Sequence, residues 1–311
     1  MSSAAVPHTA RQKLAGNLVI AAGTSVWATH FIVTAELLAT WDPYYLTAGR
    51  LLSGTCFLMT AYMVQTGGRV LRGVPVKMSL VLGILGIAVS TVLMTVGIGY
   101  SGAVASSIIA AASPIIAAFV ARFVFSLALA PSVLLGAAVA VAGGVMAAMP
   151  DGAQATEFHG GEILVFGGIA LFTWYSAGAA RWMPNVSRLG VTAVTIAIGA
   201  LSLLIMLPIL TWIGLAELRM GFTWREIVLV LYLGAGPVSV ALFTWHWGLS
   251  RIGVTIASIY SNLVPIVVVL ISMLEGKQPT TGHIVGGILI ICGVLIAQLW
   301  PMLYRRLRFV G

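Results

Sequence analysis

Residues 83–114, GILGIAVSTVLMTVGIGYSGAVASSIIAAASP, and residues 234–265, GAGPVSVALFTWHWGLSRIGVTIASIYSNLVP, decide how this chain folds. At a shift of 151 residues, Gly83 falls on Gly234, Gly97 on Gly248, Gly102 on Gly253, Ser107 on Ser258 and Pro114 on Pro265. Nearer the start of each half, Trp27 matches Trp174 at a shift of 147, a difference that a short loop would explain. Both stretches are long, apolar and almost free of charge. Glycines and prolines recurring at fixed offsets in such segments mark a duplicated unit of membrane-spanning helices.

Outward from this pair, the remainder reads the same way. A helical span needs roughly 20 apolar residues. Ten segments qualify, at about 14–38, 43–64, 76–98, 101–124, 131–149, 160–181, 189–213, 226–248, 253–274 and 282–303. The expected fold is an all-α integral membrane protein made of two five-helix repeats, residues 1–150 and 151–311, around a central cavity. Five is an odd number, so the second repeat must insert upside down relative to the first.

Composition excludes other classes. Apolar residues make up 60% of the chain and charged residues 8%, against about 25% charged in soluble domains. Sixteen Lys and Arg against eight Asp and Glu give a pI near 9.9. The bases lie singly between apolar runs, so the charge speaks for an anionic leaflet and not for nucleic acid. With the N-terminus inside, twelve basic residues fall in cytoplasmic segments, from Arg11 and Lys13 to Arg308. Only Arg219, Arg225 and Lys277 fall outside. Both termini are therefore expected in the cytoplasm. Cys56 and Cys292 sit in apolar runs and read as small buried hydrophobes with no metal spacing, and no cofactor is expected. No Gly-rich Lys-Ser/Thr phosphate loop occurs, which argues against direct ATP use. The acids are scattered, with no carboxylate pair or His cluster, so an enzyme is not expected and a membrane-embedded transferase is a remote alternative.

Candidate site residues follow from what is costly in lipid. Glu36, Glu162, Arg181, Arg251 and Glu275 lie near span ends, where snorkelling serves them. Arg50, about seven residues into span 2, is the one charge that no interface explains, with a structural and a substrate role both open. Trp27 and Trp174 lie near mid-span. Trp41, Trp182, Trp212, Trp224 and Trp300 sit at span ends as an aromatic belt. Two large rings would wall a cavity for a flat or apolar solute, and lipid-facing packing is the plain alternative. His30 shares the face of Trp27, and Tyr175 follows Trp174. In span 9, Tyr260 and Asn262 join the set. Ser258, Asn262 and Pro265 share a helical face there, and a midplane amide needs a partner or a wet cavity. Pro114 and Pro265 are candidate hinges. Trp245 and His246 form a possible inner gate. His30 and His246 are the titratable groups available for proton coupling.

From Pro265 through Glu275 to Gly286-Gly287-Ile288-Leu289-Ile290-Ile291-Cys292-Gly293, the chain resembles the drug/metabolite transporter superfamily, in particular its ten-helix EamA-type exporters. Arg50 looks like the basic residue typical of their second span. Val124 stands where the pattern would place a partner for Glu275, so a symmetric carboxylate pair is not implied. The resemblance implies a multi-pass protein of the bacterial cytoplasmic membrane, as monomer or homodimer, with a cavity lined by helices 1, 3, 4, 6, 8 and 9. It further implies outward transport of small metabolites, amino acids foremost, with multidrug or other metabolite efflux as the alternative. The expected partners are a small-molecule substrate and the lipid bilayer.

Overall fold

The computed structural model describes residues 10–70, 72–126, 131–148, 160–252, 258–276 and 278–308. The expected boundary between the halves at 150/151, and the positions Gly253 and Lys277, lie outside these residues. Among the described residues every regular element is helical and no strand occurs.

In chain order the elements are α1 Ala10–Leu37, α2 Pro43–Thr66, α3 Val76–Val81, a π-helical segment Leu82–Val89, α4 Ser90–Ala111, α5 Ser113–Phe125 and α6 Pro131–Ala148. Then come α7 Gly161–Trp182, α8 Arg188–Trp212, α9 Trp224–Leu233, a second π segment Gly234–Val240, α10 Ala241–Ile252, a 3-10 turn Ser258–Asn262, α11 Leu263–Leu274 and α12 Thr281–Arg308. Among the described residues five stretches are long and apolar enough to cross a bilayer: Leu14–Leu37, Val76–Ala111, Gly161–Ala179, Arg188–Trp212 and Trp224–Gly248. α2 is long enough, but Thr47, Arg50, Ser53, Thr55 and Thr60 lower its hydropathy. Large apolar side chains such as Phe57, Val141 and Ile205 are exposed on helix faces, as a lipid-facing surface requires.

The helix ends have local causes. Asp42 caps α2 by accepting from Tyr44 N at 2.8 Å, and Thr223 caps α9 in a reciprocal box with Glu226. The apolar run from Val76 continues past the expected end at 98 and breaks only at Gly102, where φ 75 and ψ 171 suit glycine alone. At the same end of the bundle, the α1–α2 and α8–α9 connections are tied together. Asp42 accepts from Glu217 N, Arg219 donates to Ala39 O, and Arg225 pairs with Glu36 at 2.7 Å.

Packing runs in antiparallel pairs. Gly97 meets Gly161 and Val165 while Gly168 meets Ser90, so α4 and α7 run in opposite directions. Gly248 meets Gly16 and Ile20 while Gly23 meets Ala241, so α1 and α10 do the same. Tyr62 lies on Gly190 and Tyr45 hydrogen-bonds Thr211 at 2.9 Å, which pairs α2 with α8. A Cβ on Gly143 would stand 2.6 Å from Gly286 O, so α6 and α12 touch backbone to backbone.

These contacts repeat under exchange. Gly54 packs on Gly234 and Val238 as Gly199 packs on Gly83 and Ile87. The offsets are 145 for α1/α7 and α2/α8, and 151 for α3–α4/α9–α10. The tryptophan match at 147 is therefore two residues out of step: Trp27 corresponds to Phe172, and His30 to Tyr175.

Two further expectations change. Cys56 and Cys292 are exposed on helix surfaces, not buried. Trp41 is buried against Leu37, Leu46, Val230 and Leu233, whereas Trp212 and Trp224 are exposed at helix ends. Pro114 and Pro265 fall in the first turns of α5 and α11, each directly after a break in the α-helix, at Ala112 and at the 3-10 turn Ser258–Asn262.

Candidate functional site

Two clusters gather the residues singled out in the sequence. The first lies where α1 meets α10 and the 3-10 turn. Ile20 is fully buried, with Trp245 and Tyr260 packed on it. Asn17 and Thr24 lie a turn to either side of Ile20 on α1. Asn17 Oδ1, Thr24 Oγ1 and Asn262 Oδ1 are buried with no hydrogen-bond partner among the described residues. Asn262 ends the 3-10 turn and precedes α11 without capping it. With three residues per turn in that segment, the helical face expected for Ser258, Asn262 and Pro265 does not exist. Higher on α1, Trp27 stands edge-on to Phe31 with ring centroids 5.4 Å apart, and Phe31 in turn lies 5.1 Å from His30.

The second cluster is a polar junction of α1, α2 and α4. Arg50 is 3% exposed. Its Nη1 donates to His30 Nδ1 at 2.7 Å, and its Nη2 donates to Thr95 Oγ1 at 2.7 Å and Thr91 O at 3.3 Å. Thr47 donates to Thr95 at 2.9 Å, and Thr34 Oγ1 lies 2.9 Å from His30 Nδ1. Arginine has donors only, so His30 Nδ1 is the acceptor. Arg50 Nε is buried without a partner among the described residues.

The repeat offsets carry this junction onto another. His30 maps to Tyr175, Arg50 to Thr195, Thr47 to Thr192 and Thr95 to His246. The mates are joined in the same pattern: Tyr175 Oη lies 3.0 Å from Thr195 Oγ1, and Thr192 Oγ1 lies 3.3 Å from His246 Nδ1. Tyr175 is fully buried and His246 nearly so. The structure thus separates the residues grouped by sequence. Trp245 joins Tyr260, whereas its neighbour His246 turns to α8. Trp174 packs on Trp182 at 5.7 Å, in a different core cluster from Trp27. Thr24, Thr47 and Thr95 were missed because a lone threonine in an apolar helix carries no signal; the repeat offset, correctly read, would have found the last two.

Two recesses open near the ends of α1 and α11. One, of about 380 Å³, is lined by Thr29, Val33, Glu36, Tyr232 and Glu275, with Thr29 Oγ1 2.6 Å from Tyr232 Oη. The other, of about 340 Å³, is lined by Ile32, Gly102, Ser272, Gln278 and His283. Neither includes Trp27, Tyr260 or Asn262. Among the described residues no three His, Cys, Asp or Glu side chains come together as a metal site.

A lipid-facing helical bundle with polar side chains and aromatic rings in its interior, built from exchangeable halves, defines a polytopic membrane transporter. The chain belongs to the EamA-like transporter family, whose pattern it matches twice, over residues 14–149 and 159–299. It is similar to the uncharacterized transporter YyaM of Bacillus subtilis (strain 168), 27% identical over 70% of this chain and 72% of that one. It is also similar to the uncharacterized transporter YdfC of the same organism, 25% identical over 88% of each. A solved protein structure at 22% identity aligns with a TM-score of 0.66, covering 93% of this chain and 98% of that one.

Proposed function

We propose that this protein exports small amphipathic metabolites, amino acids with an aromatic or other neutral side chain foremost, across the bacterial cytoplasmic membrane by alternating access. The observation that carries the reading is the first cluster. Trp245 and Tyr260 pack on Ile20, and the buried polar atoms of Asn17 and Thr24, one turn to either side of it on α1, and of Asn262, two residues past Tyr260, have no hydrogen-bond partner among the described residues. Buried polar atoms without partners are costly in a bundle, and a solute with a ring and polar ends would satisfy both features.

Ten spans in two inverted repeats frame this site. Support for the inversion comes from α2 against α8 and α6 against α12, pairs of corresponding helices that run antiparallel. The excess of Lys and Arg supports cytoplasmic termini, which would put both recesses on the outer side. Trp27 serves as a wall of the path, and Trp245 as its inner constriction.

The test is counterflow of labelled phenylalanine in proteoliposomes, competed by amino acids, nucleosides and cationic dyes. Competition by aromatic and thioether amino acids is expected. Trp27→Ala or Asn262→Ala should lower flux about tenfold, the equivalent of roughly 1.4 kcal/mol of lost interaction, with unchanged membrane levels. Competition by dyes alone would make the protein a multidrug carrier.

A further inference from the structure

The two polar junctions serve as each other's control. Both occupy the same place in the packing, and both hold a first helix, a second helix and a third helix of one half together. In the second half the task is done without a permanently charged group: Tyr175 with Thr195, and Thr192 with His246. In the first half the same positions hold His30, Arg50, Thr47 and Thr95. A helix junction of this geometry therefore needs no charge.

Among the described residues no acid answers the charge at Arg50. Its partners are His30, Thr95 and the Thr91 carbonyl, all neutral, and its Nε has none among the described residues. The two acids nearest on α1 and α2 are engaged elsewhere, Glu36 with Arg225 and Asp42 with the backbone N–H groups of Tyr44, Tyr45 and Glu217. A guanidinium buried in a bundle without an anion is expensive, far beyond what helix packing requires.

We infer that Arg50, with its Nε edge and the Thr95 hydroxyl, is a binding site for one small monoanionic group, either the carboxylate of the transported solute or free chloride. The rings of Trp27, Phe31 and His30 run in contact along α1 to the guanidinium, and Trp27 lies two turns beyond Ile20 on the same helix. A zwitterion would place its ring beside Trp27 and its carboxylate at Arg50. The solute is then held in one orientation, carboxylate toward the first half. This rests on the export reading for the carboxylate arm only.

The experiment transplants the neutral junction. The His30→Tyr/Arg50→Thr double variant copies the second half, and Arg50→Lys keeps the charge. Full-length protein in nanodiscs is titrated calorimetrically with phenylalanine, with phenethylamine, which lacks the carboxylate, and with hydrocinnamate, which lacks the amine. Each titration is made in sodium chloride and in sodium gluconate, with thermal unfolding recorded alongside. The double variant should unfold no lower than the natural protein and keep phenethylamine affinity. Its affinity for phenylalanine and hydrocinnamate should fall about 10- to 100-fold, the range of a charged hydrogen-bonded pair, with part restored in Arg50→Lys. Unchanged carboxylate affinity in a folded double variant would overturn the proposal, as would natural protein that responds to neither carboxylates nor chloride. A chloride response that depends on Arg50, without binding of either carboxylate, upholds the anion site and removes the amino-acid reading.

Discussion

The α1–α2–α4 junction and the α7–α8–α10 junction occupy equivalent positions, and only the first holds a guanidinium. One is a buried guanidinium held by an imidazole, the Thr95 hydroxyl and the Thr91 carbonyl. The other is a phenol, two threonines and an imidazole, with no guanidinium. The duplication preserved the helix contacts, seen in Gly54 and Gly199 packing on matching partners, while the polar side chains at their centre diverged. Backbone approach is set by small residues and tolerates little change, because a Cβ in those gaps meets another helix. Side chains that only fill the junction are free to be replaced, provided each polar atom finds a partner. Divergence at such a point is where one half can acquire a task that the other lacks.

The comparison breaks most sharply if charge is moved. Thr195→Arg would bury a guanidinium beside Tyr175, with no imidazole acceptor in His30's position. A charged side chain at mid-membrane depth costs roughly 3 kcal/mol even by the mildest scale. Membrane yield and unfolding temperature should fall well below those of the natural protein, and wild-type levels of both would mean that either junction accepts a cation. A smaller effect is expected from His30→Phe, which keeps the ring packing on Phe31 and removes the acceptor for Arg50 Nη1. Leaving a buried donor unmet costs about 1–3 kcal/mol, read as a lowered unfolding temperature in detergent. The smallest belongs to Tyr175→Phe, which deletes one hydroxyl contact. Interhelical hydrogen bonds in membranes average about 0.6 kcal/mol, so this variant should differ little in stability. A loss as large as that of His30→Phe would erase the distinction between the junctions.

Much of the fold was legible because its signals are local. Runs of apolar residues, the glycines at 83, 97 and 102, and the scarcity of charge are read directly along the chain. Arg50 stood out for the same reason, as a charge too far from either end of its helix to snorkel. The partners of Arg50 were not legible, since His30 and Thr95 come from α1 and α4 and meet it only in the packed bundle. The repeat register failed at one place for a physical reason. Matching Trp27 to Trp174 misplaces the mate by two residues, and two residues on a helix is about 200° of rotation, so Trp174 lies nearly opposite the true position. A large aromatic residue attracts the eye in an alignment, whereas the glycine contacts set the register.

Composition and spacing by themselves determined that this chain is a helical membrane protein built from two similar units, because burying a backbone in lipid demands long apolar helices and duplication leaves its small residues in step. Only the tertiary structure decided which polar side chains meet. Hydrogen bonds between helices depend on rotation and depth to within an ångström, and neither quantity is written in the spacing of residues along a single helix.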